Sequence, residues 1–353
     1  MKIKLAILEK DIGYLKKLET TFHMRYADKL EIYTFTDESM IYERLLEKKI
    51  NVFLASDIFD IDTGRIPPSC GFAYMVESGD IKSVKEQPAI CKFQKAELIY
   101  KSILNIFAEK ISSAIELGGH LSTGCRLICF ASPAGGVGNS MAAAACAVYM
   151  AKRNKRVLYL NLELLGNSDL YFQAEGEGNF GDVIRAVKSR KKNLALKIES
   201  VVKHDKGTFF FSGTASALDM GELTVEETER LLSELAVMGA FDDIIIDMDF
   251  ALSEKEIRVF KKCDRIVVVT DGSAAANQKT MRAFAALEIM GQQAQAGFPM
   301  KCNILYNRFS THGSCKLEGQ EIEELGGINR FEGYSTEQLL QQLAGMSVFE
   351  GLM

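Results

Sequence analysis

The sequence predicts an α/β protein of two domains, each built on a mostly parallel sheet. Short apolar runs alternate with helical stretches along the chain, and strands that alternate with helices pair in parallel. Gly118-Gly119-His120-Leu121-Ser122-Thr123-Gly124 interrupts that rhythm as a glycine- and hydroxyl-rich linker. Beyond it, an apolar strand, the loop Ser132-Pro133-Ala134-Gly135-Gly136-Val137-Gly138-Asn139-Ser140 and an alanine-rich helix follow one another, the setting a phosphate-binding loop needs. The expected domains are residues 1–117 and 125–353, joined by 118–124.

The 353 residues are 47% apolar, enough for a large core and for two or three domains. A net charge of −5 gives no global attraction to nucleic acid or acidic lipid, so no nucleic-acid partner is expected. No apolar run reaches about 18 residues, so no integral membrane segment is expected. The start, Met1-Lys2-Ile3-Lys4-Leu5, has a strand pattern and lacks a signal peptide's apolar region. Eight cysteines are scattered among only four histidines, without a zinc pattern. Cys129, Cys146 and Cys302 lie inside apolar runs, as core cysteines do. The chain reads as reduced and cytoplasmic.

In the first domain, residues 2–8 alternate as a strand. A helix follows with Ile12, Leu15, Leu18 and Phe22 at helical spacing. Leu30 to Thr34 is the second strand. Asp37 or Ser39 caps the next helix, with Ile41, Leu45 and Leu46 on one face. Asn51 to Ala55, Phe72 to Val76 and Ala89 to Phe93 read as further strands, and 96–115 as a long amphipathic helix.

This rhythm resembles a receiver domain of the flavodoxin-like type. That resemblance implies an acidic pair after the first strand, a phosphoacceptor Asp after the third, a Ser or Thr after the fourth and a Lys after the fifth. Glu9 and Asp11 match the acidic pair, Ser78 the hydroxyl, and Lys92 or Lys95 the lysine. The best register puts Ser56 at the acceptor position; a one-residue slip puts Asp57 there. A receiver-like fold used for contacts is the expected reading.

In the second domain, Arg126 to Ala131 is the strand before the loop and Met141 to Lys152 the helix after it. Arg156 to Leu160 is a strand followed by Asn161-Leu162-Glu163. Gly178 to Lys188 is helical, and Thr208 to Phe211 a strand. Thr224-Val225-Glu226-Glu227 and Ser253-Glu254-Lys255-Glu256 read as capping boxes that open helices to about Met238 and Lys262. Asp243 to Asp247 is a buried strand ending in a carboxylate. Arg265 to Thr270 is a strand, Ala275 to Met290 a long helix, and Cys302 to Tyr306 a strand ending in Asn307-Arg308. Ser335-Thr336-Glu337-Gln338 caps the last helix.

The loop carries its own chemistry. Glycines let the backbone approach an anion, consecutive N–H groups point inward, and the helix N-terminus adds partial positive charge. The loop departs from G-x-x-x-x-G-K-[ST], with Pro133 for the first Gly and Asn139 for the Lys, so it keeps the anion cradle and loses the fixed cation. Ser140 stands where a hydroxyl holds Mg²⁺, and Asp247 at a strand's carboxyl end is placed to hold a metal-bound water, with Asp249 close by. Glu163 is the candidate to orient an attacking water. Asn307 has the donor and acceptor to read an adenine edge. Arg308 is expected over the base, with Arg330 and Phe331 closing that pocket. The runs Lys152 to Arg156 and Lys188 to Lys192 read as solvated helix ends, where cations suit the dipole.

Ala134-Gly135-Gly136-Val137-Gly138-Asn139-Ser140 resembles the deviant phosphate loop of the MinD/ParA ATPases, K-G-G-V-G-K-[ST]. Asn161-Leu162-Glu163, Ile246-Asp247, Val267 to Thr270 and Leu305-Tyr306-Asn307-Arg308 match that family's later landmarks in order, over about residues 124–350. The resemblance implies a P-loop, doubly wound domain that binds ATP with Mg²⁺ through residues 134–141, Asn307 and Arg308, and that forms a homodimer around the nucleotide. A receiver-like domain ahead of such a domain resembles the TadZ/CpaE proteins of tight-adherence and type IVb pilus assembly. In the family, a signature lysine reaches across the dimer; its place is Ala134 here. The second lysine's place is Asn139, and the first-switch acidic pair is Asn161 and Glu163. Fixed cations near a transferring phosphoryl group contribute factors of about 10³ or more to its rate, so weak or absent hydrolysis is expected. The tail from Glu337 to Met353 has no Lys or Arg and does not resemble the basic membrane helix of MinD relatives.

Two readings compete. One is a dimerising, ATP-binding scaffold whose receiver-like domain docks to a polar landmark or another pilus-assembly component. The other is a working ATPase that positions a partner, with Glu163 directing water. A dinucleotide-dependent enzyme is disfavoured, because Met141 stands where the last Gly of G-x-G-x-x-G belongs and Asn161 about where a ribose-binding acid belongs.

Overall fold

The computed structural model describes residues 2–27, 29–116, 125–189, 194–294, 298–310, 312–318 and 322–353. The chain divides into two compact units: Met1–Thr123 with Arg190–Glu199 and Ser233–Ala240, and Gly124–Ser189 with Ser200–Leu232 and Phe241–Met353. The expected linker, 118–124, lies outside the described residues.

The N-terminal part runs β1 (Ile3–Leu8), α1 (Ile12–Tyr26), β2 (Leu30–Phe35), α2 (Ile41–Glu47), β3 (Val52–Ser56), β4 (Gly71–Val76), β5 (Ser83–Val84), β6 (Gln87–Cys91) and α3 (Ala96–Glu116). The sheet order is β2-β1-β3-β4-β6-β5, parallel except for the β5–β6 hairpin. That hairpin turns through Lys85 and Glu86, both at positive φ, as a two-residue turn between twisted strands requires. β3 and β4 are continuous apolar runs buried along their whole length, the signature of a parallel sheet covered on both faces. Leu15, Leu18 and Phe22 are buried as the helical spacing requires, but Ile12 is exposed at the first turn. Leu46 is also exposed, because α2 ends one residue later and buries only Ile41 and Leu45. Neither Asp37 nor Ser39 caps α2: the Asp37 carboxylate accepts from the Ser39 N–H instead, and the helix begins uncapped at Ile41.

The C-terminal part runs β7 (Arg126–Ala131), α4 (Asn139–Ala151), β8 (Val157–Asn161), α5 (Phe180–Lys188), α6 (Leu194–Val201), β9 (Lys203–Asp205), β10 (Thr208–Phe210), α7 (Ala217–Gly221), α8 (Val225–Val237) and β11 (Asp243–Asp247). It continues with α9 (Glu254–Lys262), β12 (Arg265–Thr270), α10 (Ala274–Ala294), α11 (Phe298–Lys301), β13 (Cys302–Phe309), β14 (Glu323–Asn329) and α12 (Thr336–Leu343). The sheet order is β14-β13-β12-β7-β11-β8-β10-β9, parallel except for β9. β7 lies between β12 and β11, so its carboxyl end opens at the point where the winding reverses, where α/β sheets hold ligands.

Helix α4 buries every residue from Ala142 to Met150. Its alanines let it sit close against the sheet, which fixes where the preceding loop enters the helix. The caps at Thr224 and Ser335 form reciprocally. The Ser253 cap does not: its hydroxyl pairs with the Glu256 carboxylate rather than a helix N–H. In the first basic run, Arg156 pairs with Asp242 and Arg153 covers the Tyr149 ring. Lys188 pairs with Glu222, and residues 190–192 lie outside the described set. Leu340, Leu343, Phe349 and Leu352 of the tail are buried in this domain's core. Among the described residues, no helix is long and apolar enough to cross a membrane.

Candidate functional site

The loop between β7 and α4 turns on Gly136 (φ +78°) and Gly138 (φ +84°), a left-handed backbone that glycine takes freely. Gly138 is the N-cap of α4 and contributes no side-chain cap. Among the described residues, the N–H groups from Gly135 to Ser140 find no protein acceptor. A Cβ on Gly135 or Gly136 would meet nothing within 4 Å. Ser132 anchors the loop's entrance, accepting from the Ala134 N–H and donating to the Val269 carbonyl at 2.6 Å. The result is an open ring of donors at a helix N-terminus, suited to an anion.

Asn139 faces inward. Its Nδ2 donates to Asp247 Oδ1 (2.8 Å) and to the Phe130 carbonyl (3.2 Å). Asp247 is fully buried and accepts at its other oxygen from the Tyr159 hydroxyl (2.7 Å) and Asn161 Nδ2 (3.0 Å). Burial, with the Glu163 charge adding to it, pushes the Asp247 carboxyl up to about 8. Three neutral donors thus enclose it, and Asp247 does not line the cavity described below. Tyr159 was not among the sequence candidates, although it lies two residues before Asn161 and so on the same face of β8.

Ser140 Oγ donates to Glu163 Oε2 at 3.1 Å. The Glu163 backbone N–H is held by Asn161 Oδ1. Burial and the charge of Asp249 raise the Glu163 carboxyl above the ordinary range. Asp249 is exposed and accepts from the Leu164 N–H at 3.0 Å.

On the far side, Asn307 Nδ2 donates to the carbonyls of Val137 (2.8 Å) and Gly138 (3.3 Å), and Arg308 Nη1 to that of Gly136 (2.6 Å). A cavity of about 620 Å³ opens between these groups. Residues 134–141, Glu163, Asp249 and Arg308 line it, with Tyr171, Tyr334, Thr336 and Leu339 as walls. Arg308 is the one basic side chain among these lining residues. Arg330 and Phe331 are not among them: Arg330 is exposed beside Glu332, and Phe331 packs edge-on against Tyr334.

The donor set fits a phosphate group, through free N–H groups and a helix terminus. The Ser140 hydroxyl beside the Glu163 carboxylate fits a hard divalent cation, which favours oxygen ligands. Asp247 fits one less well, since each of its oxygens is already hydrogen-bonded.

In the N-terminal domain, Lys92 Nζ donates to Ser56 Oγ (2.9 Å) and pairs with Glu9 Oε2 (2.7 Å). All three residues are buried. Asp11 caps α1 through the Tyr14 N–H, and Asp57, Ser78 and Lys95 are outside this cluster. Of the alternatives, the strand ends bring Glu9, Ser56 and Lys92 together.

Residues 1–108 match the family model described as TadZ-like, receiver domain. The fold of the rest is similar to the ParA family ATPase from Chlorobium tepidum TLS, with a TM-score of 0.51 and 19% identity over 65% of this chain and 96% of that one. It is equally similar to the Aquifex aeolicus MinC:MinD complex, at 0.51 and 16% over 65% and 96%. By sequence, the chain is 24% identical to the septum site-determining protein MinD of Buchnera aphidicola over 52% of this chain and 67% of that protein. For the Neisseria meningitidis MinD the identity is 24% over 58% and 74%. The chain fits a TadZ/CpaE-type protein. Its TadZ-like receiver domain therefore precedes a MinD/ParA-like domain, and the candidate cavity belongs to the latter.

Proposed function

We propose that this TadZ/CpaE-type chain binds ATP with Mg²⁺ through its MinD/ParA-like domain, forms a homodimer around the nucleotide, and serves as a scaffold or localisation factor in tight-adherence or type IVb pilus assembly. The observation that carries the nucleotide reading is the loop itself: an open ring of N–H donors at the N-terminus of α4, facing a cavity of about 620 Å³. Hydrolysis is weak or absent in this reading. Asn139 turns its amide away to Asp247, Ala134 carries no charge, and Arg308 is the one cation lining the cavity among the described residues. The receiver-like domain docks to a polar landmark or another assembly component; its Ser56–Lys92–Glu9 cluster is closed on itself. The MinD of Aquifex aeolicus is seen in complex with a partner, MinC, which supports a partner-binding role. The reading places the protein in the cytoplasm, recruited to a pole or the inner membrane face through partners.

A second reading, a working ATPase that positions a partner, is favoured by Glu163, a carboxylate at the cavity wall whose raised affinity for protons suits a base. Steady phosphate release from purified full-length protein with ATP·Mg²⁺ separates the two. Release no faster than buffer supports the scaffold; turnover abolished by Glu163→Gln supports the ATPase.

A further inference from the structure

The end of β13 grips the phosphate loop from behind. Asn307 is 4% exposed, and its amide nitrogen reaches the Val137 and Gly138 carbonyls; Arg308 reaches that of Gly136. Three successive loop carbonyls are therefore drawn toward β13. In a trans peptide the C=O and the N–H of the same unit point in opposite directions. Drawing these carbonyls outward turns the N–H groups of Val137, Gly138 and Asn139 the other way, and none of them has a protein acceptor among the described residues. The fit at this grip is close: a Cβ on Gly138 would lie 2.5 Å from Asn307 Nδ2. Arg308 takes φ +56°, a backbone that L-residues rarely adopt, and in it reaches beneath the loop.

We infer that Asn307 and Arg308 form a clamp that sets the anion cradle before any nucleotide arrives, with Asn307 a positioning residue rather than a reader of the base. The amide nitrogen that would donate to an adenine edge already holds two carbonyls. With both loop lysines replaced, preorganised N–H groups are what remains to meet phosphate charge, and a clamp in the same chain keeps them aimed. The nucleotide part of this inference rests on the proposed function; the clamp is a property of the free chain.

The test has two arms on the full chain. Without ligand, amide exchange is followed at Ala142, whose N–H donates to the Gly138 carbonyl at 3.1 Å and so reports the loop's position. Asn307→Ala is expected to speed this exchange about thirtyfold, from two lost hydrogen bonds of ordinary strength, while exchange in β11 stays unchanged. Arg308→Gly, which suits the left-handed backbone and keeps the fold, is expected to speed it by about threefold or more. Unchanged exchange in both variants overturns the clamp. With ligand, ATP, GTP and inorganic tripolyphosphate are titrated into wild type and Asn307→Ala. An equal loss for all three supports positioning; a loss confined to ATP makes Asn307 a base reader and overturns it. If wild type binds none of them, the proposed function fails, and the exchange arm still decides the clamp.

Discussion

Alanine placed in turn at Gly135, Gly136 and Gly138 separates filling the cradle from straining it. At Gly135 the φ lies outside the left-handed region and a Cβ meets nothing within 4 Å. The substitution leaves stability unchanged or raises it by up to about 1 kcal/mol through the unfolded chain, while a methyl group stands in the cradle and weakens anion binding. At Gly136 the space is equally open but φ is +78°, so backbone strain of about 1–2 kcal/mol, less the unfolded-chain gain, leaves a net loss of about 1 kcal/mol. At Gly138 the same strain is joined by the 2.5 Å approach to Asn307 Nδ2. That amide must leave two carbonyls, at about 1 kcal/mol each, so the expected loss is about 2–3 kcal/mol. The chain has no tryptophan, so urea unfolding is best followed by far-UV circular dichroism. The order Gly135→Ala, Gly136→Ala, Gly138→Ala in falling stability is the prediction. A Gly138→Ala variant as stable as Gly135→Ala would mean that neither the left-handed backbone nor the Asn307 contact constrains this position.

Further outcomes follow from the buried charges. Lys92→Met leaves Glu9 buried without its partner and is expected to cost about 3–5 kcal/mol in urea unfolding, more than Lys92→Met combined with Glu9→Gln; equal costs would contradict the pairing. Ser56 is fully buried, so acetyl phosphate is expected to add no phosphoryl group at that residue; a phosphoserine at 56 in mass spectrometry would show that the cluster opens. Asp247, ordinarily at 3.8, is held at about 8 in the folded chain, so between those pH values the folded state keeps a proton that the unfolded chain releases. Stability therefore falls as pH rises from about 4 to about 8, by up to about 1.4 kcal/mol per unit, and Asp247→Asn removes that slope. An unchanged slope in the variant, read from urea midpoints across this range, counts against the buried proton.

The strands were legible because parallel sheets covered on both faces require continuous apolar runs, and Asp243 to Asp247, Arg265 to Thr270 and Gly71 to Val76 are such runs. β14 was not, since Glu-Glu-Leu-Gly-Gly-Ile-Asn has neither a run nor an alternation, and it forms by pairing with β13 through an irregular register. The phosphate loop was legible from glycine spacing. The enclosure of Asp247 was not, because Asn139 comes from α4 and Tyr159 and Asn161 from β8, and they converge only where both elements pack against β11. The Ser253 cap misled because a serine with a glutamate three residues on can satisfy each other's side chains and leave the backbone alone. In the first domain, the resemblance to a receiver domain made Glu9, Ser56 and Lys92 candidates beside Asp11, Asp57 and Lys95, and tertiary packing brought the first three together.

In the proposed function, a cradle without fixed cations still binds nucleotide. Calorimetric titration of the purified full-length chain with ATP and with ADP, each with Mg²⁺, tests it most directly. The account predicts micromolar or tighter binding that Ser140→Ala and Gly138→Asp weaken. No heat of binding with either nucleotide, from protein shown to be folded, would contradict it, and would leave the loop as a turn in an interaction module built on an ATPase fold.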